Sequence, residues 1–139
     1  MRQTYYGVDS ILFEELEEYI KEYIQLTKEM FNKEIARDEK LVIKQKKDEL
    51  RQWVQTKLLE GGSILGFLTE EQVDELHAQI QSMDEKLAVQ LNSNFIAYSQ
   101  LEELILVLMK QQEINVLKNL TYFLERAKQK QQHVIVWIM

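Results

Sequence analysis

Apolar residues recur at steps of three and four along most of the chain, which is the spacing of amphipathic helices. These steps predict five helices, over residues 10–34, 38–60, 70–92, 99–111 and 115–132. The third helix has the most regular apolar seam, which consists of Val73, Leu76, Ile80, Met83 and Leu87. The sequence contains no proline, so the strongest helix breaker is absent and the helices can run long.

Capping signals mark three of the helix boundaries. Gly61-Gly62 is expected to end the second helix, because glycine readily takes the left-handed conformation that follows a helix. Residues 69–72 (Thr-Glu-Glu-Gln) and 99–102 (Ser-Gln-Leu-Glu) have the spacing of capping boxes, which begin helices. Between these boundaries, Ser63–Leu68 is apolar, and we interpret it as a loop that packs on one end of the core.

Together these patterns predict an all-α fold, a compact bundle of four or five helices in a single domain of residues 1–139. The fourth helix is expected at its centre, because residues 104–109 are apolar on every side. The C-terminal tail, residues 133–139, differs from the rest because it is apolar and rich in β-branched residues. A short strand pair between this tail and Thr4-Tyr5-Tyr6 therefore stays open as an addition to the bundle.

The C-terminal tail is also the strongest functional signal. Burial of its six apolar side chains would contribute about 9–18 kcal/mol as an upper value, which is comparable with the net stability of a domain, about 5–15 kcal/mol. We therefore expect the tail to be covered, either by its own bundle or by another protein. The residues predicted for a protein interaction are Val134, Ile135, Val136, Trp137, Ile138, Met139, Tyr5 and Tyr6.

Composition narrows the classes of function. The 139 residues carry 17 Lys+Arg against 23 Asp+Glu, a net charge of −6, which counts against nucleic-acid binding and against docking on an anionic membrane. With no cysteine and two histidines, no cofactor, metal site or small-molecule ligand is predicted. The chain lacks an apolar signal core, so we expect a cytoplasmic protein of a bacterium or phage.

One alternative is a DNA-associated regulator that uses the second or fifth helix. Residues 37–60 hold seven bases and five acids, a net charge of +2. A basic face on the second helix would supply phosphate contacts. It would consist of Lys44, Lys46, Lys47 and Arg51.

A second alternative is a magnesium-dependent, all-α nucleotide pyrophosphohydrolase. Such enzymes hold magnesium with carboxylates that project from helices, and hard oxygen ligands suit this ion. Acidic residues at a spacing of three lie in the first and third helices, namely Glu14, Glu15, Glu17, Glu18, Glu71 and Asp74. Acids are also favoured in the first turns of helices, which weakens this signal.

The preferred interpretation is a non-enzymatic protein-interaction module: a small regulator, inhibitor or adaptor. It is expected to bind another protein and to form a homodimer. No Ser-His-Asp constellation stands out in the sequence, whereas apolar segments exceed what one small bundle needs.

Overall fold

The computed structural model describes residues 2–32 and 34–138. Within these residues the chain forms six helices and four strands, in the order β1 (Gln3–Val8), α1 (Ser10–Met30), α2 (Arg37–Gly61), β2 (Ser63–Leu68), α3 (Glu70–Ile80), α4 (Glu85–Asn92), β3 (Phe95–Ile96), α5 (Tyr98–Met109), α6 (Asn115–Gln129) and β4 (His133–Ile138). The fold is mostly helical, as the sequence predicts, but the prediction of an all-α fold is wrong because a four-stranded antiparallel sheet is present.

The chain divides into two compact units. The first contains the residues up to Ser10 and those from Ser63 onward, and so includes the sheet and α3–α6. The second contains residues 11–62, which form α1 and α2. The single domain of residues 1–139 stays a prediction.

The sheet has the strand order β2-β1-β4-β3. β1 and β4 pair in antiparallel register from Gln3 opposite Ile138 to Val8 opposite His133. The strand pair that the sequence left open between the two chain ends is therefore present, and it forms the centre of the sheet. The two edge strands, β2 and β3, were not predicted.

Residues 63–68 form β2 and not the predicted apolar loop. β2 pairs with β1 from Ser63 opposite Gly7 to Leu68 opposite Gln3, and a bulge leaves Leu65 without a register partner. A bulge interrupts the alternation of inward and outward side chains that marks a strand. The pairing partner is also distant in sequence, so no local pattern could reveal it.

One face of the sheet packs against α3–α6. In this core, leucines of α5 and α6 pack with side chains of β1, β2 and β4. The ring of Tyr5 on β1 lies 5.4 Å from that of Phe123 on α6. Buried members of the core include Tyr5, Leu65, Leu101, Leu104, Leu108, Leu117, Leu120, Leu124, Val134 and Val136.

The predicted third helix, residues 70–92, is two helices, α3 and α4. The Ser82 hydroxyl donates to the carbonyl of Gln79 (2.9 Å), and this local hydrogen bond competes with helix continuation. The apolar seam nevertheless lies inward on both sides of the break, since Leu76 and Leu87 are both buried. The periodicity identified the residues of the core correctly, but it did not show that the backbone turns.

The capping box at Thr69 is confirmed. Gln72 donates its backbone N–H to Thr69 Oγ1 (3.3 Å), and Gln72 Oε1 accepts from the Thr69 N–H (2.9 Å). The box predicted at residues 99–102 is wrong, because the N-cap of α5 is Ala97, two residues before Ser99. There, Gln100 Oε1 accepts from the backbone N–H of Ala97 (2.9 Å).

The left-handed residue that the sequence predicts after α2 occurs after α6 instead. α2 does end at Gly61, but Gly62 is extended (φ −102°, ψ 162°) because the chain enters β2 directly. The left-handed residue occurs after α6, at Gln131 (φ 55°). The N–H of Gln132 donates to Ala127 (2.9 Å) and that of Gln131 to Lys128 (3.1 Å), which is a Schellman motif that ends the helix before β4.

In the second unit, α1 and α2 form an antiparallel hairpin. Its contacts include the rings of Tyr19 and Trp53, 4.1 Å apart, and an ion pair of 3.0 Å between Glu22 and Lys46. The buried residues of this hairpin are Leu16, Ile20, Leu26, Val54 and Leu58. In the parts of the chain that the structure describes, no helix combines the length and apolar character required to cross a bilayer.

Candidate protein-interaction site

Most of the residues predicted for a protein interaction belong to the two central strands of the sheet, β1 and β4, and are buried. Met139 falls outside the described residues, and Ile138 is about half exposed. The others are at most 3% exposed, namely Val134, Ile135, Val136, Trp137, Tyr5 and Tyr6. They complete the chain's own sheet, and a direct role for them in binding another protein stays a prediction.

A different apolar surface is open, on the side of the α5–α6 hairpin that faces away from the sheet core. The helices border a groove of about 520 Å³. We call it the α5–α6 groove. It is lined by Tyr98, Glu102, Ile105, Leu106, Met109, Glu125, Lys128 and Gln129.

The groove arises because residues 104–109 of α5 are apolar on every side of the helix but are covered on only one side. Leu104 and Leu108 are fully buried, whereas Leu106 is 58% and Met109 52% exposed. The prediction that this helix lies enclosed at the centre is therefore wrong, since its neighbours cover one side only. The unbroken apolar run of residues 104–109 was the signal that could have indicated an outward apolar face.

Charged side chains border the groove. Lys128 Nζ lies 3.9 Å from a carboxylate oxygen of Glu102, a weak ion pair at an exposed site. Arg126 is engaged elsewhere, because its Nη1 donates to the carbonyl of Leu65 (2.9 Å) and its guanidinium lies 5.7 Å from the centre of the Tyr122 ring. With Glu102, Glu125 and Lys128, the lining carries two acids and one base, a formal charge of −1.

A serine and a histidine meet in the first unit, but their hydrogen bonds do not suit nucleophilic catalysis. Ser10 Oγ lies 3.0 Å from His133 Nε2, and the backbone N–H of Tyr98 donates to His133 Nδ1 (2.9 Å). Since Nδ1 accepts, the neutral ring carries its proton on Nε2 and donates to Ser10. A general base would need the opposite arrangement. His133 instead joins the start of β4 to the start of α5.

The proposed basic face of α2 is partly engaged by α1. Lys46 pairs with Glu22, and Lys47 Nζ lies 5.0 Å from the centre of the Tyr23 ring. Lys44 and Arg51 are exposed. Two of the four side chains that would contact phosphates therefore already have partners within the hairpin.

The acidic residues of the magnesium alternative are divided between the units. Glu15 lies 3.9 Å from Lys57, and Glu17 accepts a hydrogen bond of 2.7 Å from Lys21, which raises the pKa of that lysine. Glu71 and Asp74 lie at the start of α3, in the other unit. Across residues 2–32 and 34–138, no group of three or more His, Asp or Glu side chains is placed to hold a metal ion.

Comparison of the chain with protein-family models, with curated proteins and with solved structures finds no match in any of the three.

Proposed function

We propose that the chain is a non-enzymatic protein-interaction module, a small regulator, inhibitor or adaptor, and that it binds an amphipathic helix of a partner protein in the α5–α6 groove. The observation that carries this proposal is the exposed apolar stripe of α5. Leu106 and Met109 are three residues apart on one side of the helix, next to an apolar floor at Ile105. A cytoplasmic location stays a prediction from the sequence.

A helix is the occupant that suits the shape of this groove. Small-molecule pockets enclose most of the surface of their ligand, but the walls here are half exposed, so the groove is open along its length. An apolar groove on a protein surface is a common receptor for an amphipathic helix, which inserts apolar side chains at positions i, i+3 or i+4, and i+7.

The charge of the lining adds a requirement on the partner helix. Glu102 is already near Lys128, so Glu125 is the carboxylate that a partner base would meet. We therefore expect the partner helix to carry Lys or Arg beside its apolar positions. Complementary charge at the rim chiefly increases the association rate and the specificity.

The proposal is tested with a displayed library of random helical peptides, selected against the full chain. Selected peptides are expected to share apolar residues at helical spacing and at least one basic residue. Replacing Leu106 by Lys should abolish their binding, because a charge would have to be buried in the apolar contact. Glu125→Lys should weaken binding several-fold and reverse the preference for basic peptides.

The matched control is Val89→Lys on α4, since Val89 is an exposed apolar residue outside the groove. This variant should bind the selected peptides as the unaltered chain does. Selected peptides that bind Leu106→Lys and the unaltered chain equally would show that the groove is not the binding site. Far-ultraviolet circular dichroism of each variant verifies that the fold is retained.

A further inference from the structure

The strand β2 forms one edge of the sheet. Within the described residues its strand partner is β1 alone. A strand that is paired along one side keeps backbone N–H and C=O groups for a second neighbour. Natural edge strands are commonly protected by charged residues, proline or a bulge. β2, Ser-Ile-Leu-Gly-Phe-Leu, has a bulge but contains no charged residue and no proline.

Two side chains of β2 remain exposed on one face of the sheet. Ile64 lies opposite Tyr6 and Phe67 opposite Thr4, and both are outside the core cluster. Ile64 is 55% and Phe67 47% exposed. Leu65 and Leu68 are buried in the core on the other face. The open edge therefore carries an apolar pair that its own sheet does not cover.

We propose that a second copy of this chain pairs with β2, in antiparallel register about a two-fold axis between Leu65 and Gly66. In this register Ile64 lies opposite Phe67 of the second copy, and Phe67 opposite Ile64. Each exposed residue then covers the other, in a β-branched and aromatic pair of the kind that stabilises neighbouring strands. The two four-stranded sheets become one sheet of eight strands.

The bulge is what makes this register possible. In a regular strand, residues three apart point to opposite faces, so Ile64 and Phe67 could not lie opposite each other across a two-fold axis. The extra residue at Leu65 shifts the alternation and places Ile64 and Phe67 on the same face. The strand is thus complementary to itself, which is the requirement for a two-fold symmetric interface.

Two arginine side chains contact β2, and neither belongs to a neighbouring strand on its open edge. The Arg126 guanidinium donates to the carbonyl of Leu65 (2.9 Å), the residue without a register partner. The Arg2 guanidinium lies 4.6 Å from the centre of the Phe67 ring. No residue of the α5–α6 groove takes part, so this inference is independent of the proposed function.

The first experiment measures the molar mass of the full chain by sedimentation equilibrium from micromolar to millimolar concentration. We expect a reversible dimer. Ile64→Lys should weaken the dimer about tenfold or more, because the symmetric interface contains the substitution twice. Val89→Lys should leave the dissociation constant unchanged. A chain that stays monomeric over the whole range, or a dimer unaffected by Ile64→Lys, overturns the proposal.

The second experiment tests the register by disulfide formation, which the absence of cysteine from the sequence makes simple. Residues directly opposite each other have Cβ atoms about 4.5–5.5 Å apart, close to the separation a disulfide needs. An equimolar mixture of Ile64→Cys and Phe67→Cys chains should therefore form a cross-linked heterodimer under mild oxidation. Each variant alone should cross-link much more slowly, because residue 64 of each copy lies about 10 Å along the strand from its equivalent.

Mass spectrometry separates the outcomes. A heterodimer that forms at least tenfold faster than either homodimer supports the register. Equal or faster cross-linking of Ile64→Cys with itself would show that the strands pair differently, and the proposed register would be wrong. Retained circular dichroism of both cysteine variants excludes unfolding as the cause of a negative result.

Discussion

The strands β4 and β2 belong to the same sheet and are both apolar, but they differ in what covers them. β4 lies at the centre, between β1 and β3, and its residues 134–137 are buried. β2 lies at the edge, and two of its six side chains are exposed. The difference follows from position in the sheet and not from composition.

The two strands can be compared directly where both pair with the same residue of β1. Tyr6 lies between Ile135 of β4 and Ile64 of β2, which are the same residue type in the same row of the sheet. Ile135 is fully buried and Ile64 is 55% exposed. The C-terminal segment thus forms the buried strand β4, and residues 63–68, which were predicted as a loop, form the open edge strand β2.

The largest effect is expected from truncation of these two isoleucines. Ile135→Ala should lower the free energy of unfolding by about 2–5 kcal/mol, because it removes buried methyl groups and leaves a cavity. Ile64→Ala should lower it by less than about 1 kcal/mol, because its side chain is half exposed. Urea denaturation at low protein concentration measures both values without a contribution from self-association.

Equal losses of stability in the two variants would contradict the comparison. They would show that Ile64 is as thoroughly covered in the folded chain as Ile135. A loss at Ile64 that grows with protein concentration would instead come from the proposed dimer, since association stabilises the folded state by mass action.

Local signals predicted the helical segments and the cap at Thr69 better than the connections between distant segments, although the caps predicted at Ser99 and Gly62 are wrong. Thr69 begins α3 as predicted, because the capping box depends only on residues three apart. The apolar seam identified Leu76 and Leu87 as core residues, although the helix breaks between them. Such patterns indicate which face of a helix is buried, and they can be recognised without knowing the rest of the chain.

The sheet and the candidate site depend on contacts that no local pattern contains. β2 is stabilised by pairing with β1, and its bulge hides the alternation that would mark a strand. The outward face of α5 could not be distinguished from its inward face, because Leu104 and Leu106 are identical in type and only their neighbours differ. The sequence therefore predicted how much apolar surface there is, but not which part remains open.

A smaller effect is expected at Gly66, where β2 packs against Phe123 of α6. A Cβ atom at this position would overlap the ring of Phe123. Gly66→Ala should therefore lower the free energy of unfolding by about 1–3 kcal/mol, the usual cost of overpacking a core. Gly62→Ala is the control, since the extended backbone of Gly62 suits any residue, and it should change stability by less than about 0.5 kcal/mol. Thermal unfolding measures both, and an unchanged Gly66→Ala variant would refute the close approach.

The smallest effect is expected at Tyr5, in the central strand β1. Its hydroxyl is buried and has no hydrogen-bond partner among the described residues, and burial raises the pKa of Tyr5 well above its usual value of 10.0. Tyr5→Phe should be neutral or slightly stabilising at pH 7, because a buried hydroxyl without a partner is costly.

The same substitution gives a pH dependence whose sign is fixed by the raised pKa. Titration of the hydroxyl leaves the stability of the unaltered chain unchanged below pH 10. Stability then falls as the pH rises from 10 towards the folded-state pKa, because only the unfolded chain releases the proton in that interval. Above pH 10, the unaltered chain should therefore lose about 1.4 kcal/mol per pH unit more than Tyr5→Phe. Urea denaturation of both chains between pH 9 and pH 11 measures the difference. Parallel curves would mean that the Tyr5 hydroxyl ionises as readily in the folded sheet as in the unfolded chain, and the central strand would then be no better covered at this position than the exposed edge.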